Sequence, residues 1–206
     1  ILTPGTPVAC GAPLYGLDVG DLDGNGTLDV VVVGPSGYLG ILLNDGTGAL
    51  QAPSEHTVSF QTLYVCRIAD FDRNGRADVV AAGSEGTVVV GFGAPEGFDF
   101  SEVAHEFPLP SILGLGVGDF DANGQPDIIT CGGESVAVMI ASGSGFVCLD
   151  PVTLPGEILR DVEVSDRNND GSLDATVCGL YSGTVYTLWN APPPVPILRG
   201  TNQEVV

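Results

Sequence analysis

One aspartate-rich motif occurs four times along the 206-residue chain at an almost fixed interval. Asp21-Leu-Asp-Gly-Asn-Gly-Thr-Leu-Asp29 returns as Asp70-Phe-Asp-Arg-Asn-Gly-Arg-Ala-Asp78 and as Asp119-Phe-Asp-Ala-Asn-Gly-Gln-Pro-Asp127. A fourth, altered copy is Asp166-Arg-Asn-Asn-Asp-Gly-Ser-Leu-Asp174. Successive copies start 49, 49 and 47 residues apart. A period of this size marks a repeat architecture, in which each unit buries its apolar face against its neighbours.

Every copy sits in the same context. An alternating apolar run precedes it, at 15–20, 64–69, 113–118 and 159–164. A more continuously apolar run follows, at Val30 to Val33, Val79 to Ala82, Ile128 to Cys131 and Ala175 to Cys178. A Gly-rich turn and a third run come next, as at Leu39 to Leu43 and Val185 to Trp189, and weaker fourth runs lie near Glu55 to Phe60, Glu102 to Phe107 and Phe146 to Thr153. These patterns predict four antiparallel strands per roughly 48 residues, which is a propeller blade.

The expected fold is therefore all-β, with four four-stranded blades forming a small β-propeller or, alternatively, an open blade array completed by assembly. The blades fall at about 15–60, 64–108, 112–155 and 159–190 of one repeat domain spanning 1–206. Residues 1–14 form an N-terminal outer strand or linker, and 191–206 a Pro-rich tail. Repeat four stops after its third strand, at Trp189-Asn190. Two stretches compete to supply its outer strand, Leu2 to Val8 and Pro194 to Arg199, and the one left over is free to pair with a neighbouring molecule.

Composition agrees and excludes some functions. Thirty glycines, fifteen prolines and a 44% hydrophobic fraction suit short strands and tight turns. Twenty-six acidic against six basic residues, a net charge of −20, repel a phosphate backbone, so nucleic acid is not an expected partner. A mean hydropathy of +0.30 is too high for a disordered acidic chain. No apolar run approaches the ~18 residues of a membrane span. The start at Ile1 reads as a processed or trimmed chain.

The loops carry the chemistry. Positions 1, 3, 5 and 9 offer side-chain oxygens: Asp21, Asp23, Asn25 and Asp29 in the first, and Asp70, Asp72, Asn74 and Asp78 in the second. Asp119, Asp121, Asn123 and Asp127 follow in the third, and Asp166, Asn168, Asp170 and Asp174 in the fourth. Position 7 offers the backbone carbonyls of Thr27, Arg76, Gln125 and Ser172. Hard oxygens in this number suit Ca²⁺, with up to four ions per chain. Gly26, Gly75, Gly124 and Gly171 occupy position 6, where the chain must turn around the ion. Position 12 holds Val32, Ala81, Thr130 and Val177 where an EF-hand has glutamate, so closure falls to position 9 or water. Zinc would lack its usual nitrogen and sulfur ligands, and magnesium its stricter octahedron. Asp-Asn-Gly clusters also form ordinary turns, but four in register favour the metal.

The run from Val19 to Val33, with Leu42 to Gly48 after it, resembles the FG-GAP and VCBS repeats of integrin-α-type β-propellers. The resemblance covers about residues 15–190 and implies extracellular, calcium-stabilised blades used in adhesion, glycan recognition or as accessory modules of secreted enzymes. The literal Phe92-Gly-Ala-Pro95 reads as a turn, and four blades are fewer than the seven usual in integrin-like propellers.

Other residues point less far. Cys10, Cys66, Cys131, Cys148 and Cys178 suggest an oxidising compartment with up to two disulfides, although Cys131 and Cys178 share a repeat phase that suits small buried residues. His56 and His105 also share a phase and read as repeated surface positions. Trp189 and Tyr186 are expected in the core, with a sugar site as the alternative. Asn25-Gly-Thr27 is formally a glycosylation sequon, but its asparagine is better placed as a metal ligand. No nucleophile elbow, phosphate loop or zinc motif appears, so no enzymatic activity is expected. The expected function is an extracellular or cell-surface scaffold of structural or adhesive kind that self-associates or binds another extracellular protein. A calcium-dependent, lectin-like glycan module is the alternative.

Overall fold

Each aspartate loop joins the two innermost strands of one antiparallel sheet, as the apolar runs on its two sides predict. The structure, a computed structural model, describes residues 5–58, 61–95, 97–100, 104–106 (backbone only), 109–143 and 145–190. Blade 1 runs β1 (Gly16–Gly20), β2 (Asp29–Val33), β3 (Tyr38–Leu42) and β4 (Ser54–Thr57), in that order across the sheet. Blade 2 runs β5 (Leu63–Ala69), β6 (Asp78–Gly83) and β7 (Thr87–Ala94), with β8 (Gly97–Asp99) and β9 (Ala104–Glu106) both on β7. Blade 3 repeats this with β10 (Gly114–Gly118), β11 (Asp127–Gly132) and β12 (Ser135–Ser142), which carries β13 (Gly145–Cys148) and β14 (Val152–Thr153). Blade 4 is the three-stranded sheet β15 (Leu159–Ser165), β16 (Asp174–Gly179) and β17 (Val185–Leu188). Among the described residues the only helical element is a 3₁₀ turn, Pro35–Gly37.

The outer edges differ most from expectation. In blade 2 the fourth-strand place is shared: β8 pairs with Phe92 to Ala94, and β9 with Thr87 to Val89. Blade 3 divides its fourth strand in the same way, at the two ends of β12. Residues 59–60, 102–103 and 107, which belong to the expected fourth strands, lie outside the described residues, as do both the first residues of Leu2 to Val8 and the whole of Pro194 to Arg199. The described part of the N-terminal stretch, residues 5–8, forms no strand. Instead Val8 and Cys10 pack on Val32 and Leu42, covering the outer half of blade 1's free face. Phe92 to Ala94, expected as a turn, instead end β7 and pair with β8, and of that stretch only Pro95 lies in the turn beyond the strand.

The blades stack through their inner strands, β1 on β5, β5 on β10 and β10 on β15. Each joint holds its own apolar cluster. Between blades 1 and 2, Val31, Val33 and Leu39 meet Cys66, Val79 and Ala81; between blades 3 and 4, Ile129 and Cys131 meet Leu159, Val162 and Ala175. Between blades 2 and 3 lies fully buried Phe71, edge-to-face with Phe146 at 5.8 Å. Inner-strand glycine lets the sheets approach: a Cβ on Gly114 would lie 2.7 Å from the Asp161 Cα in the next blade. Across the described residues β15 and β1 do not form a packed pair, so the four blades make an arc, the open form of the propeller array.

Two expectations are corrected here. All five cysteines are free thiols. Cys66 and Cys131 lie in different joints, and burial pushes both thiols up to about 12, so they act as small apolar residues and not as nucleophiles. Trp189 is 62% exposed, because it follows the last strand of blade 4, which has no further sheet beside it, whereas Tyr186 packs into the joint as expected and donates to Glu157 Oε1 at 2.6 Å. His56 is half-buried against Phe100, with ring centroids 5.0 Å apart. The shared phase of the histidines holds in register, since His56 lies opposite Leu39 and His105 opposite Val88.

Candidate metal centre

The loop conformation comes from two left-handed residues. Position 6 is glycine throughout, with φ between 82° and 90° in the last three loops and 83° in the first. Position 4 is left-handed too, as Gly24 at φ 76°, Arg73 at 60°, Ala122 at 59° and Asn169 at 60°. Three of the four loops thus place a residue with a side chain where glycine is favoured, a strained position the sequence did not reveal. The chain curls so tightly there that its N–H groups point inward onto carboxylates.

Those N–H groups set the geometry. The position 1 carboxylate accepts from positions 4 or 5 and from position 6: Asp21 from Gly24 at 2.8 Å and Gly26 at 2.9 Å, Asp70 from Asn74 at 3.0 Å and Gly75 at 2.8 Å. Position 3 accepts the backbone and side-chain N–H of position 5, as Asp72 does from Asn74 at 3.0 and 2.9 Å. The asparagine also donates to the third strand: Asn25 to Asn44 O, Asn74 to Gly93 O and Asn123 to Ala141 O.

Position 9 is the keystone. Asp29, Asp78, Asp127 and Asp174 are each 0% exposed, although the sequence reads them as ordinary ligands. One oxygen accepts the N–H of position 2, and the other that of the residue leaving the third strand, Asn44, Gly93, Ala141 or Asn190, at 2.7–3.1 Å across the eight bonds. Each carboxylate therefore pins its loop to its own blade and still has lone pairs for an ion. Burial pushes Asp78 up to about 6, with the Asp72 charge adding to it against backbone donors at Gly93, Phe71 and Asp72. Burial raises Asp127 too, with smaller contributions from Asp121 and Asp119. A cation among the oxygens would offset both the desolvation and the repulsion between carboxylates.

Carboxylates converge in three loops. Asp21, Asp23 and Asp29 have ligand oxygens within 4.8 Å of one another, as do Asp70, Asp72 and Asp78, and Asp119, Asp121 and Asp127. Among the described residues the fourth loop forms no such acidic group, because position 3 is Asn168 and its charge has moved to Asp170. The exchange keeps the local bond in reverse, Asn168 Nδ2 donating to Asp170 Oδ2 at 2.8 Å. An all-oxygen donor set of this kind fits calcium, with Asn25, Asn74 and Asn123 and the carbonyls of Thr27, Arg76 and Gln125 available to complete it.

Comparison with known proteins follows the same boundary. A family model described as an FG-GAP-like repeat matches residues 21–81 and again 70–130, more than half of the chain. The chain belongs to the FG-GAP-like repeat family. The FG-GAP-like matches contain the three loops whose carboxylates converge and stop before the fourth. No protein of curated function matches the sequence. Among solved structures, BBS1N from a complex with ARL6DN, soaked with lead, is similar at a TM-score of 0.61 and 14% identity, over 88% of this chain and 55% of that one. An Agrocybe aegerita lectin that recognises non-reducing terminal N-acetylglucosamine is similar at a TM-score of 0.53 and 19% identity, over 85% of this chain and 49% of that one. These likenesses support the propeller-like fold, and the FG-GAP-like chain spans about half the length of the structures it matches.

A cavity of about 500 Å³ opens at the outer side of the joint between blades 3 and 4, beside the third loop. Phe120, Leu149, Leu173 and Trp189 give it an apolar wall, and Asp121 and Asn190 reach its rim.

Proposed function

We propose that this chain is an extracellular, calcium-stabilised scaffold without catalytic activity, serving a structural or adhesive role and self-associating through a terminal strand. The observation that carries the reading is the recurrence of a buried aspartate latch under an acidic cluster in successive blades. A catalytic site is single, whereas a brace is repeated wherever the load is. Among the described residues the outer side of β17 has no partner strand, so this edge can accept one from another molecule. No helix of the described residues is long and apolar enough to cross a membrane.

Limited proteolysis in calcium and in excess chelator tests the brace. The scaffold reading expects slow cleavage with calcium and rapid cleavage at the first three loops without it. Equal cleavage in both would refute it.

A second reading is a calcium-dependent glycan-binding module. The cavity between blades 3 and 4 favours it, since Trp189 offers an aromatic face beside polar Asp121 and Asn190. The lectin among the similar structures points the same way. A glycan array probed with and without calcium separates the two: calcium-dependent binding lost in Trp189→Ala supports the glycan module, and an empty array supports the scaffold alone.

A further inference from the structure

At all three internal joints the same two kinds of face meet, and one of each is left over at the ends of the arc. The receiving face of a blade uses the residues four and two places before its loop and position 8 within it. In blade 2 these are Cys66, Ile68 and Ala77, all packed into the joint with blade 1. Their counterparts in blade 1 are Leu17, Val19 and Leu28, which are 61%, 46% and 62% exposed. Leu28 matches Leu173, whose side chain presses on Gly118 of the preceding blade. Three apolar residues thus stand in water at positions that the other blades bury or half-bury.

The other end shows the complementary face. Cys178 lies opposite Val185 in blade 4 as Val33 lies opposite Leu39, and Cys131 opposite Val136. Leu39 and Val136 are buried, whereas Val185 is 65% exposed. Position 2 of the loop, apolar as Leu22, Phe71 and Phe120, becomes exposed Arg167, which donates to Thr176 Oγ1 at 3.1 Å.

We propose that the free face of blade 1 receives blade 4 of a second copy of this chain, head to tail, in the geometry of the internal joints. This rests on the scaffold reading and adds to it a second contact, the stacking of faces, that is independent of any terminal strand. Extent fits: Val8 and Cys10 occupy the outer half of blade 1's face, leaving the inner part for a three-stranded blade such as blade 4. Charge fits too. Gln125 Nε2 donates to Phe71 O at 3.2 Å, which sets position 2 of one loop beside position 7 of the next. In that register Arg167 of one copy falls beside Thr27, in the loop that carries Asp21, Asp23 and Asp29. The polar edge makes the contact one that soluble chains can make and break. Two chains joined at both ends contain eight blades, at the upper end of the common four-to-eight range for closed propellers.

Sedimentation velocity in calcium tests this with the intact chain and with Leu17→Glu and Val185→Glu, each checked for native circular dichroism. The expected result is a two-chain species for the intact chain, monomers for each variant alone, and a two-chain species when the variants are mixed, since one unaltered joint remains. Weakening by Arg167→Glu and by high salt is expected as well. A chain that stays monomeric up to millimolar concentration overturns the proposal, as does a two-chain species unaffected by both variants. Loss of the two-chain species on removing residues 191–206, with both faces intact, assigns association to strand exchange and overturns it while leaving the scaffold reading in place.

Discussion

Asp78 holds Gly93: its Oδ1 accepts the Gly93 N–H at 2.8 Å while its Oδ2 accepts that of Phe71 at 2.7 Å, tying loop, inner strands and third strand together. The same clamp recurs in each blade, so the loops serve the sheet's integrity before any ion arrives. Asp78→Asn keeps the shape but sets an amide N–H against a backbone N–H, with both groups buried. A loss of about 2–3 kcal/mol is expected, read from urea unfolding in chelator.

Left-handed Ala122 predicts the opposite sign. Glycine there removes the clash of a Cβ with its own backbone, offset by extra freedom in the unfolded chain. Ala122→Gly should stabilise by about 0.5–1 kcal/mol in the same unfolding assay, whereas Gly124→Ala, at φ 86°, should destabilise by about 1 kcal/mol or more.

Acidity acts on the metal-free protein through Asp78. Its folded value, about 6, lies above the ordinary 3.8, so between those two the native state holds a proton that the unfolded state has released. That contribution is fully present below about 3.8 and is lost as pH rises through 6. Melting in chelator should therefore show this contribution fading between pH 4 and 7, a trend that Asp78→Asn reduces. On the calcium reading the trend should reverse when the ion is added, because a bound cation would favour the deprotonated form.

The joint between blades 2 and 3 depends on Phe71. Removing a fully buried ring leaves a cavity between two sheets, and Phe71→Ala should cost about 3–5 kcal/mol by urea unfolding.

Much of this was legible in the sequence because the period was strict. A shared phase located the inner two strands of each blade, and the third strands of blades 1 and 4, to within a residue or two, and set twelve side-chain candidates at the same four places in each of the first three loops. What local pattern could not show were partners distant in the chain. Asp29 reads as a ligand until Asn44 is seen donating to it from fifteen residues away, and Asn190 plays that part for Asp174. Trp189 looked like core because three earlier third strands are covered by the next blade, and the fourth is not. The change from Asp to Asn at 168 was visible, but its dispersal of the acidic cluster needed coordinates.

The central claim is that calcium braces these blades, and thermal unfolding in millimolar calcium against excess chelator measures it most directly. Binding at about a hundredfold over the dissociation constant stabilises by roughly 2.7 kcal/mol per site. Three independent sites in a chain of this size should then raise the midpoint by on the order of 15 °C or more, with magnesium giving much less. An identical midpoint in calcium and chelator would contradict the account.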